Sequence, residues 1–129
     1  MIVVDTSVWI SALGSASSRE APVFAALLDS DDILLAVPVR TELLGGARAV
    51  DRSQLRRTLT ALPLVYPTDA TWQLMDQWAE RARDRGERFG VGDLLIAALA
   101  REAGALVWSL DADFARMARL KFVDLYDGA

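Results

Sequence analysis

The sequence predicts an α/β domain with a central, mostly parallel sheet. Short apolar runs alternate with helical segments along the whole chain, and such alternation is typical of strand–helix–strand units. With 129 residues the chain is long enough for one well-filled core, so we predict a single domain over residues 1–129. Hydrophobic residues make up 53% of the sequence, which predicts that some apolar surface is buried against another chain.

Five short apolar runs predict the strands. They are Ile2 to Val4, Ile33 to Val37, Leu64 to Tyr66, Leu106 to Leu110 and Phe122 to Tyr126. Several are apolar at every position and are bounded by turn residues, a pattern typical of strands covered on both faces. We therefore expect helices to pack on the sheet.

The segments between the strands carry helix start and stop signals. The predicted helices are Thr6 to Leu13, Pro22 to Leu28, Pro38 to Leu44, Ser53 to Leu62, a long helix capped by Thr68, a buried helix from Asp93 to Gly104, and Ala112 to Leu120. Ser17 to Glu20 resembles a capping box. The apolar stripe of the long helix is predicted to be Trp72, Met75, Ala79 and Ala82. We expect the four tryptophans to lie in the core.

Composition excludes several kinds of chemistry. The chain has no histidine and no cysteine, so it has no thiolate zinc site, cysteine nucleophile or disulfide. A reducing cytoplasm fits this composition. The start of the chain lacks a basic leader, and no apolar run is long enough to cross a bilayer, so we expect a soluble, unexported protein.

The net charge of −4 is the wrong sign for binding nucleic acid by bulk electrostatics. The positive charge is nevertheless clustered and is almost all arginine. One cluster spans residues 48–57 and the other residues 81–88, while Lys121 is the single lysine. These arginines are either solvated helix faces or contacts for phosphate, which the guanidinium group suits well.

Four acidic residues lie at positions that a parallel sheet would bring close together. Asp5 and Asp111 follow predicted strands, Glu42 lies within two helical turns of a third strand, and Asp93 opens the buried helix. Each acid alone also fits an ordinary role: Asp5, Asp93 and Asp111 as helix caps, and Glu42 as a solvated charge. Ligands of open α/β sheets bind beyond the carboxyl ends of the strands, however. We therefore predict that the four carboxylates converge.

At neutral pH, a hard divalent cation would balance the negative charges of such a cluster. Ligation by oxygen alone suits Mg²⁺ or Mn²⁺, and the missing imidazole and thiolate groups disfavour zinc. An ion bound there would activate water for in-line attack on a phosphodiester. Ser7 and Ser109 are candidates to hydrogen-bond the carboxylates or a water on the metal, although hydroxyls are also common at helix starts and strand ends.

Four segments in succession resemble the PIN-domain ribonucleases and, within them, the VapC toxins of prokaryotic toxin–antitoxin modules. The segments are VVDTSVWI, PVRTELL, GVGDLLIAA and VWSLDADF, and the resemblance covers essentially the whole chain. It implies a three-layer α/β/α fold and Mg²⁺- or Mn²⁺-dependent endonucleolytic cleavage of RNA. It also implies a homodimer and a cognate antitoxin whose C-terminal segment covers the active site.

By position, the resemblance assigns the catalytic and metal-binding acids to Asp5, Glu42, Asp93 and Asp111. It makes Asp113 an auxiliary acid and Ser109 a supporting hydroxyl. The family often has a basic residue beside the fourth acid, whereas here the neighbours Leu110 and Ala112 are apolar. A substrate contact at that point is therefore in doubt.

The sequence is also compatible with three other functions. A related phosphatase or DNA-directed nuclease would use the same acids, although an aspartyl phosphatase would be expected to carry a second aspartate at position 7, where this chain has Ser7. A receiver-like signalling module would need an acceptor aspartate at the end of a central strand, and the strand at Leu64 to Tyr66 lacks one. An inactive binding protein is the third.

Overall fold

The sheet consists of four strands, and every pairing is parallel. The computed structural model describes residues 1–128. The strands are β1 (Ile2–Val4), β2 (Ile33–Ala36), β3 (Leu64–Val65) and β4 (Leu106–Trp108), which lie in the order β3-β2-β1-β4. In the register of β1, Ile2 pairs with Ile33 on one side and with Leu106 on the other. The predicted parallel sheet is confirmed.

Seven helices connect and follow these strands within residues 1–128. They are α1 (Thr6–Gly14), α2 (Ala21–Asp29), α3 (Val37–Gly46), α4 (Ala49–Thr60), α5 (Asp69–Asp84), α6 (Val91–Glu102) and α7 (Ala112–Arg119). None of them is both long and apolar enough to cross a membrane.

The strand order determines the layers. The chain steps from β1 to β2 to β3 in one direction, then returns across the sheet to β4. Because parallel crossovers are right-handed, the helices of the outward steps (α1 to α4) lie on one face and those of the return step (α5 and α6) on the other. The result is the expected three-layer α/β/α arrangement.

The same order creates a crevice at the carboxyl edge of the sheet. The strands β1 and β4 are neighbours, yet the chain leaves β1 towards one face and reaches β4 from the other. The ends of the two strands therefore open at the switch point where ligands bind in open α/β sheets. Asp5 follows β1 directly, and Asp111 follows β4 after two residues.

The core fills both faces of the sheet. Val3, Ala36 and Val107 of the central strands are fully buried. On one side Trp9 packs edge-on against Phe24, and elsewhere the rings of Trp78 and Phe122 stack with centroids 4.5 Å apart. Helix α6 is buried along most of its length, as its nearly continuous apolar sequence predicts.

The prediction for α5 has the wrong phase. Its buried residues are Thr71, Met75, Trp78 and Ala82, whereas Trp72 is 44% exposed. The buried Thr71 hydroxyl donates to Glu102 Oε1 at 2.5 Å and accepts from Thr68 N at 3.0 Å. These two bonds satisfy its polar atom, so a threonine is stable at a buried position.

The predicted last strand is also wrong. Leu125 forms only an isolated parallel bridge with Val107. Lys121 has a left-handed φ of 64°, and the Arg101 side chain donates to the carbonyls of Lys121 and Phe122 at 3.1 and 3.0 Å. Those carbonyls therefore face an arginine instead of a neighbouring strand.

Further differences lie at the ends of elements; α6, for example, begins at Val91 and not at Asp93. The capping box before Pro22 does not form: Glu20 is the N-cap of α2 without a side-chain cap, and Ser18 Oγ accepts from Ala21 N at 3.1 Å. The helix α4 begins four residues earlier than predicted, and α3 continues through Gly45 and Gly46. Helix propensity is a weak guide to such ends because tertiary packing overrides it.

Candidate metal centre

Asp5 is the buried acid of the site and is only 6% exposed. Its Oδ2 accepts hydrogen bonds from Ser7 Oγ at 2.7 Å and from Ser109 Oγ at 2.8 Å. A weaker bond from Ser7 N at 3.4 Å caps α1. All three bonds use Oδ2, and Oδ1 has no bond within residues 1–128. One oxygen is therefore fixed while the other remains available to a ligand.

The two serines also connect β1 to the segment after β4. Ser7 Oγ accepts from Leu110 N, and Ser109 Oγ accepts from Asp111 N, both at 3.0 Å. The serine hydroxyls thus bind the Asp5 carboxylate on one side and the backbone that carries Asp111 on the other. Their position agrees with the supporting role considered from the sequence.

Asp111 and Asp113 lie at the start of α7. Asp111 is the N-cap of the helix, and its Oδ1 accepts from Asp113 N at 2.9 Å. Asp113 Oδ1 accepts from Arg116 Nη2 at 2.5 Å. The cap interpretation is thus correct for Asp5 and Asp111, but a capping oxygen leaves the second oxygen of the same carboxylate free for other contacts.

Asp93 lies in the first turn of α6, two residues after its start at Val91, and the N-cap is Gly90. Carboxylate oxygens of Asp93, Asp111 and Asp113 all lie within 4.8 Å of one another. Burial, then repulsion from Asp111, Asp5, Asp113 and Glu42 in that order, raises the pKa of Asp93 from 3.8 to about 6. Every other acid of the set therefore acts electrostatically on Asp93.

Glu42 is exposed and lies at the rim of the site. The helix α3 carries it there from β2, and its Oε1 accepts from Thr6 Oγ1 at 3.2 Å. The structure thus brings all four predicted acids, with Asp113, to the carboxyl edge of the sheet. Ser7 and Ser109 lie among them.

The site also contains an arginine, Arg116, that was not predicted from the sequence. Arg116 donates to Asp113 and also forms a close ion pair with Glu87, and its guanidinium lies 4.7 Å from the ring centroid of Phe89. The two carboxylates raise the pKa of Arg116 further. The only signal in the sequence was the i, i+3 spacing of Asp113 and Arg116, because Glu87 is distant in the chain.

These residues fit a divalent cation. Ligand oxygens around an octahedral Mg²⁺ ion are about 2.9 to 4.2 Å apart, and the Asp93, Asp111 and Asp113 oxygens, all within 4.8 Å of one another, are near enough to approach one ion. The donors are all oxygens, and a bound cation would offset the repulsion felt by Asp93. The fold and the site define an α/β domain with an acidic centre, suited to a metal ion, at its topological switch point.

Comparison with known proteins agrees with this class. A family model of the PIN domain matches residues 2–120. The VapC ribonuclease Mb1587 of Mycobacterium bovis is 33% identical over 125 residues, which cover 93% of each chain. This chain belongs to the PIN-domain family and, within it, to the VapC group.

Solved structures share the fold at lower identity. VapBC-1 from nontypeable Haemophilus influenzae superposes with a TM-score of 0.76 at 19% identity, covering 99% of this chain and 98% of that one. A toxin–antitoxin complex from Klebsiella pneumoniae gives a TM-score of 0.74 at 14% identity, with 95% of both chains covered. At these identities the likeness shows the fold alone.

Proposed function

We propose that this chain is a metal-dependent endoribonuclease, the toxin of a toxin–antitoxin pair, formed by a single nuclease domain. One observation carries the proposal: carboxylate oxygens of Asp93, Asp111 and Asp113 lie within 4.8 Å of one another. Burial, and then repulsion from Asp111, Asp5, Asp113 and Glu42, raises the pKa of Asp93 to about 6. Unrelated helix caps would not share one electrostatic environment. The ribonuclease names of its VapC relatives support RNA as the substrate.

In this proposal Asp5, Glu42, Asp93 and Asp111 are the catalytic acids and hold Mg²⁺ or Mn²⁺, with Asp113 as an auxiliary acid. When bound, the ion activates water and stabilises the charge that develops on the phosphate oxygens. Ser7 and Ser109 fix the orientation of Asp5 through its Oδ2. Asp111 is positioned by the bond from its own backbone to Ser109 Oγ, so the serines set the separation of two acids.

A cognate antitoxin is the second proposed partner. An apolar groove of about 740 Å³ lies between α1, α3 and α4, with Ile10, Leu13, Leu43 and Leu55 among its lining and the site acid Glu42 at its edge. A groove of this kind suits the apolar face of a helix. A basic side chain from the same segment would reach the acids and compete with the metal ion.

The inhibition can be tested through this competition. Excess Mg²⁺ is expected to weaken inhibition by the antitoxin, because ion and basic side chain occupy the same carboxylates. An inhibition constant that does not change with Mg²⁺ concentration would refute this part of the proposal.

A homodimer and a cytoplasmic location complete the proposal. Large apolar side chains such as Val50, Tyr66, Val91 and Leu110 are more than half exposed, and such exposure supports burial against a second copy. A sequence without cysteine fits the reducing conditions of the cytoplasm. Light scattering of the antitoxin-free protein tests the dimer.

The decisive test of function is cleavage of a mixed RNA pool with and without Mg²⁺ or Mn²⁺. We expect cleavage that needs the ion and is lost in Asp5→Ala and in Asp93→Ala. Asp76→Asn, which changes an exposed acid of α5, is the matched control and should cleave like the unaltered protein. Equal cleavage by all variants would identify a contaminating nuclease, and hydrolysis of a small phosphomonoester in place of RNA would favour a phosphatase.

A further inference from the structure

A second cleft opens beside the acidic site, and the function proposed above does not use it. It has a volume of about 510 Å³ and lies between the end of α5, the loop over residues 85–90 and the start of α6. Arg83, Glu87, Arg88, Phe89 and Leu94 are among its lining residues. We call it the arginine cleft.

The shape of the arginine cleft is fixed by a helix C-cap. Gly86 has a φ of 73°, its N–H donates to Arg83 O at 3.0 Å, and Glu87 N donates to Ala82 O at 2.8 Å. These two bonds form a Schellman motif, which needs a left-handed residue after the helix. The motif sets the direction in which Glu87 and Arg88 leave α5.

Arg116 joins the cleft to the metal centre. Its guanidinium binds Glu87 in the cleft wall and Asp113 in the acid cluster at the same time. Leu94, in the floor of the cleft, directly follows Asp93. A chain that lies in the cleft therefore contacts Glu87, which is bound to the same arginine as Asp113 of the acid cluster.

The arginine cleft carries two positive charges that are not used in ion pairs among the described residues. Glu87 is neutralised by Arg116, whereas Arg83 and Arg88 have no ion pair or side-chain hydrogen bond within residues 1–128. The neighbouring Arg81 differs, because its guanidinium lies 5.4 Å from the Phe122 ring centroid. The two cleft arginines are thus exposed donors without a structural partner, next to a site whose own charge is negative.

The apolar groove on the Glu42 side has the opposite character. Its one arginine, Arg48, binds Asp51 at 2.9 Å, and with Glu42 the groove carries one net negative charge. A polyanion is repelled from such a surface and attracted to the arginine cleft. The two openings beside the acids therefore suit different partners.

We propose that the arginine cleft binds the phosphate backbone of single-stranded RNA next to the scissile bond, with Arg83 and Arg88 each contacting a phosphate. This inference rests on the proposed ribonuclease function and adds where the strand lies. The guanidinium fork pairs with two phosphate oxygens at once. The contacts read no base, so they position the strand without selecting its sequence.

The test compares Arg83→Ala, Arg88→Ala and the double variant with Arg85→Ala. Arg85 is in the same loop region but does not line the cleft, so it controls for the loss of one positive charge. Binding is measured by fluorescence anisotropy of a labelled, unstructured RNA 20-mer in chelator over a salt series. KM and kcat for the same RNA are measured with Mn²⁺.

We expect the double variant to bind RNA about tenfold more weakly. Its slope of log K against log salt should be smaller by about 1.4, because each single-strand phosphate contact contributes about 0.7. KM should rise at least fivefold while kcat changes less than twofold, and Arg83→Lys should retain most of the affinity. Arg85→Ala should change the slope by less than 0.3, roughly half of one contact.

Different failures have different meanings. If the unaltered protein cuts no RNA, the proposed function is wrong. If it cuts RNA but the double variant keeps its salt slope and KM, the cleft is not a backbone site. The inference also fails if the double variant binds RNA normally and loses affinity for the antitoxin, because the cleft would then be a protein interface.

Discussion

The two sides of the acidic centre are held in place in opposite ways. On the serine side (Asp5, Ser7 and Ser109), hydroxyl donors bind the buried carboxylate at 2.7 and 2.8 Å. On the carboxylate side (Asp93, Asp111 and Asp113), acids lie within 4.8 Å of one another, and the pKa of Asp93 is raised to about 6. Hydroxyl donors hold the first side without an ion, whereas on the second side the acids still repel Asp93 although Arg116 pairs with Asp113.

This difference indicates that one side positions its acid and that the other side binds the metal ion. A carboxylate that accepts two hydroxyl bonds keeps its orientation before any ligand arrives. On the other side, the fold holds carboxylates close together although they repel one another. A bound cation lowers this repulsion energy. We therefore expect the serine side to set geometry and the carboxylate side to set the affinity for the ion.

The largest effect is expected for Asp93→Asn, which removes a charge from the carboxylate side at nearly constant volume. We expect RNA cleavage at saturating Mn²⁺ to fall by about 1000-fold or more, because the site loses an acid that faces all the others. Cleavage rates of the purified variant measure this. Rates within tenfold of the unaltered protein would show that the carboxylate side does not hold the catalytic ion.

A smaller effect is expected from Ser109→Ala on the serine side. The change removes the donor to Asp5 and the acceptor for Asp111 N. We expect cleavage to fall about 10- to 100-fold and the free energy of unfolding to fall by about 1–3 kcal/mol. Ser17→Ala removes an exposed serine that bonds only to Ser15 within residues 1–128 and should change neither quantity.

Without an ion, the repulsion between Asp93 and the neighbouring acids should make the stability of the folded protein depend on pH. Folded Asp93 holds its proton up to a pKa of about 6, against 3.8 in the unfolded chain. Its stabilising contribution is therefore complete below pH 3.8 and is lost as the pH rises through 6. In chelator at pH 7.5, Asp93→Asn should raise Tm by about 3 °C, since solvent screens this half-exposed group.

The same comparison at about pH 3, below both pKa values, is its control. There Asp93 is protonated in the folded protein, so the difference in Tm between the two proteins should disappear. An Asp93→Asn variant that is less stable than the unaltered protein at pH 7.5 would contradict the repulsion argument.

The smallest effect is expected for Arg116→Ala. The change frees Asp113 from its ion pair and removes a positive charge beside the acids. We expect Mn²⁺ to bind two- to fivefold more tightly in calorimetry, an effect of under about 1 kcal/mol. Glu87→Gln keeps the Arg116–Asp113 pair and should change the affinity less. Weaker binding in Arg116→Ala would show that Arg116 instead holds Asp113 in its ligating position.

The main features of the fold and the acids were predictable because local sequence determines them. Asp5 and Asp111 end strand-like runs, and parallel strands deliver their carboxyl ends to one edge, so convergence follows from topology. Arg116 was not predictable as a bridge. Its partner Glu87 reaches it only because α5 ends in a Schellman turn and the following loop folds back onto α7.

The errors have equally specific causes. The predicted stripe of α5 and the observed one share Met75 and Ala82, so periodicity alone did not decide between Trp72 and Trp78. The burial of Thr71 depends on Glu102 of another helix, which no local pattern reveals. The last strand is reduced to one bridge, in which Asp124 O and Tyr126 N bond to Val107, while Arg101 binds the Phe122 carbonyl.

The sharpest test of the metal centre is a calorimetric titration of the ion-free protein with Mn²⁺ at pH 7.5 in the absence of RNA. We expect the unaltered protein to bind Mn²⁺, Asp93→Asn to bind it at least tenfold more weakly, and Asp76→Asn to bind it as the unaltered protein does. Equal affinity in all three proteins, or no binding to any of them, would contradict a metal centre at the carboxyl edge of this sheet.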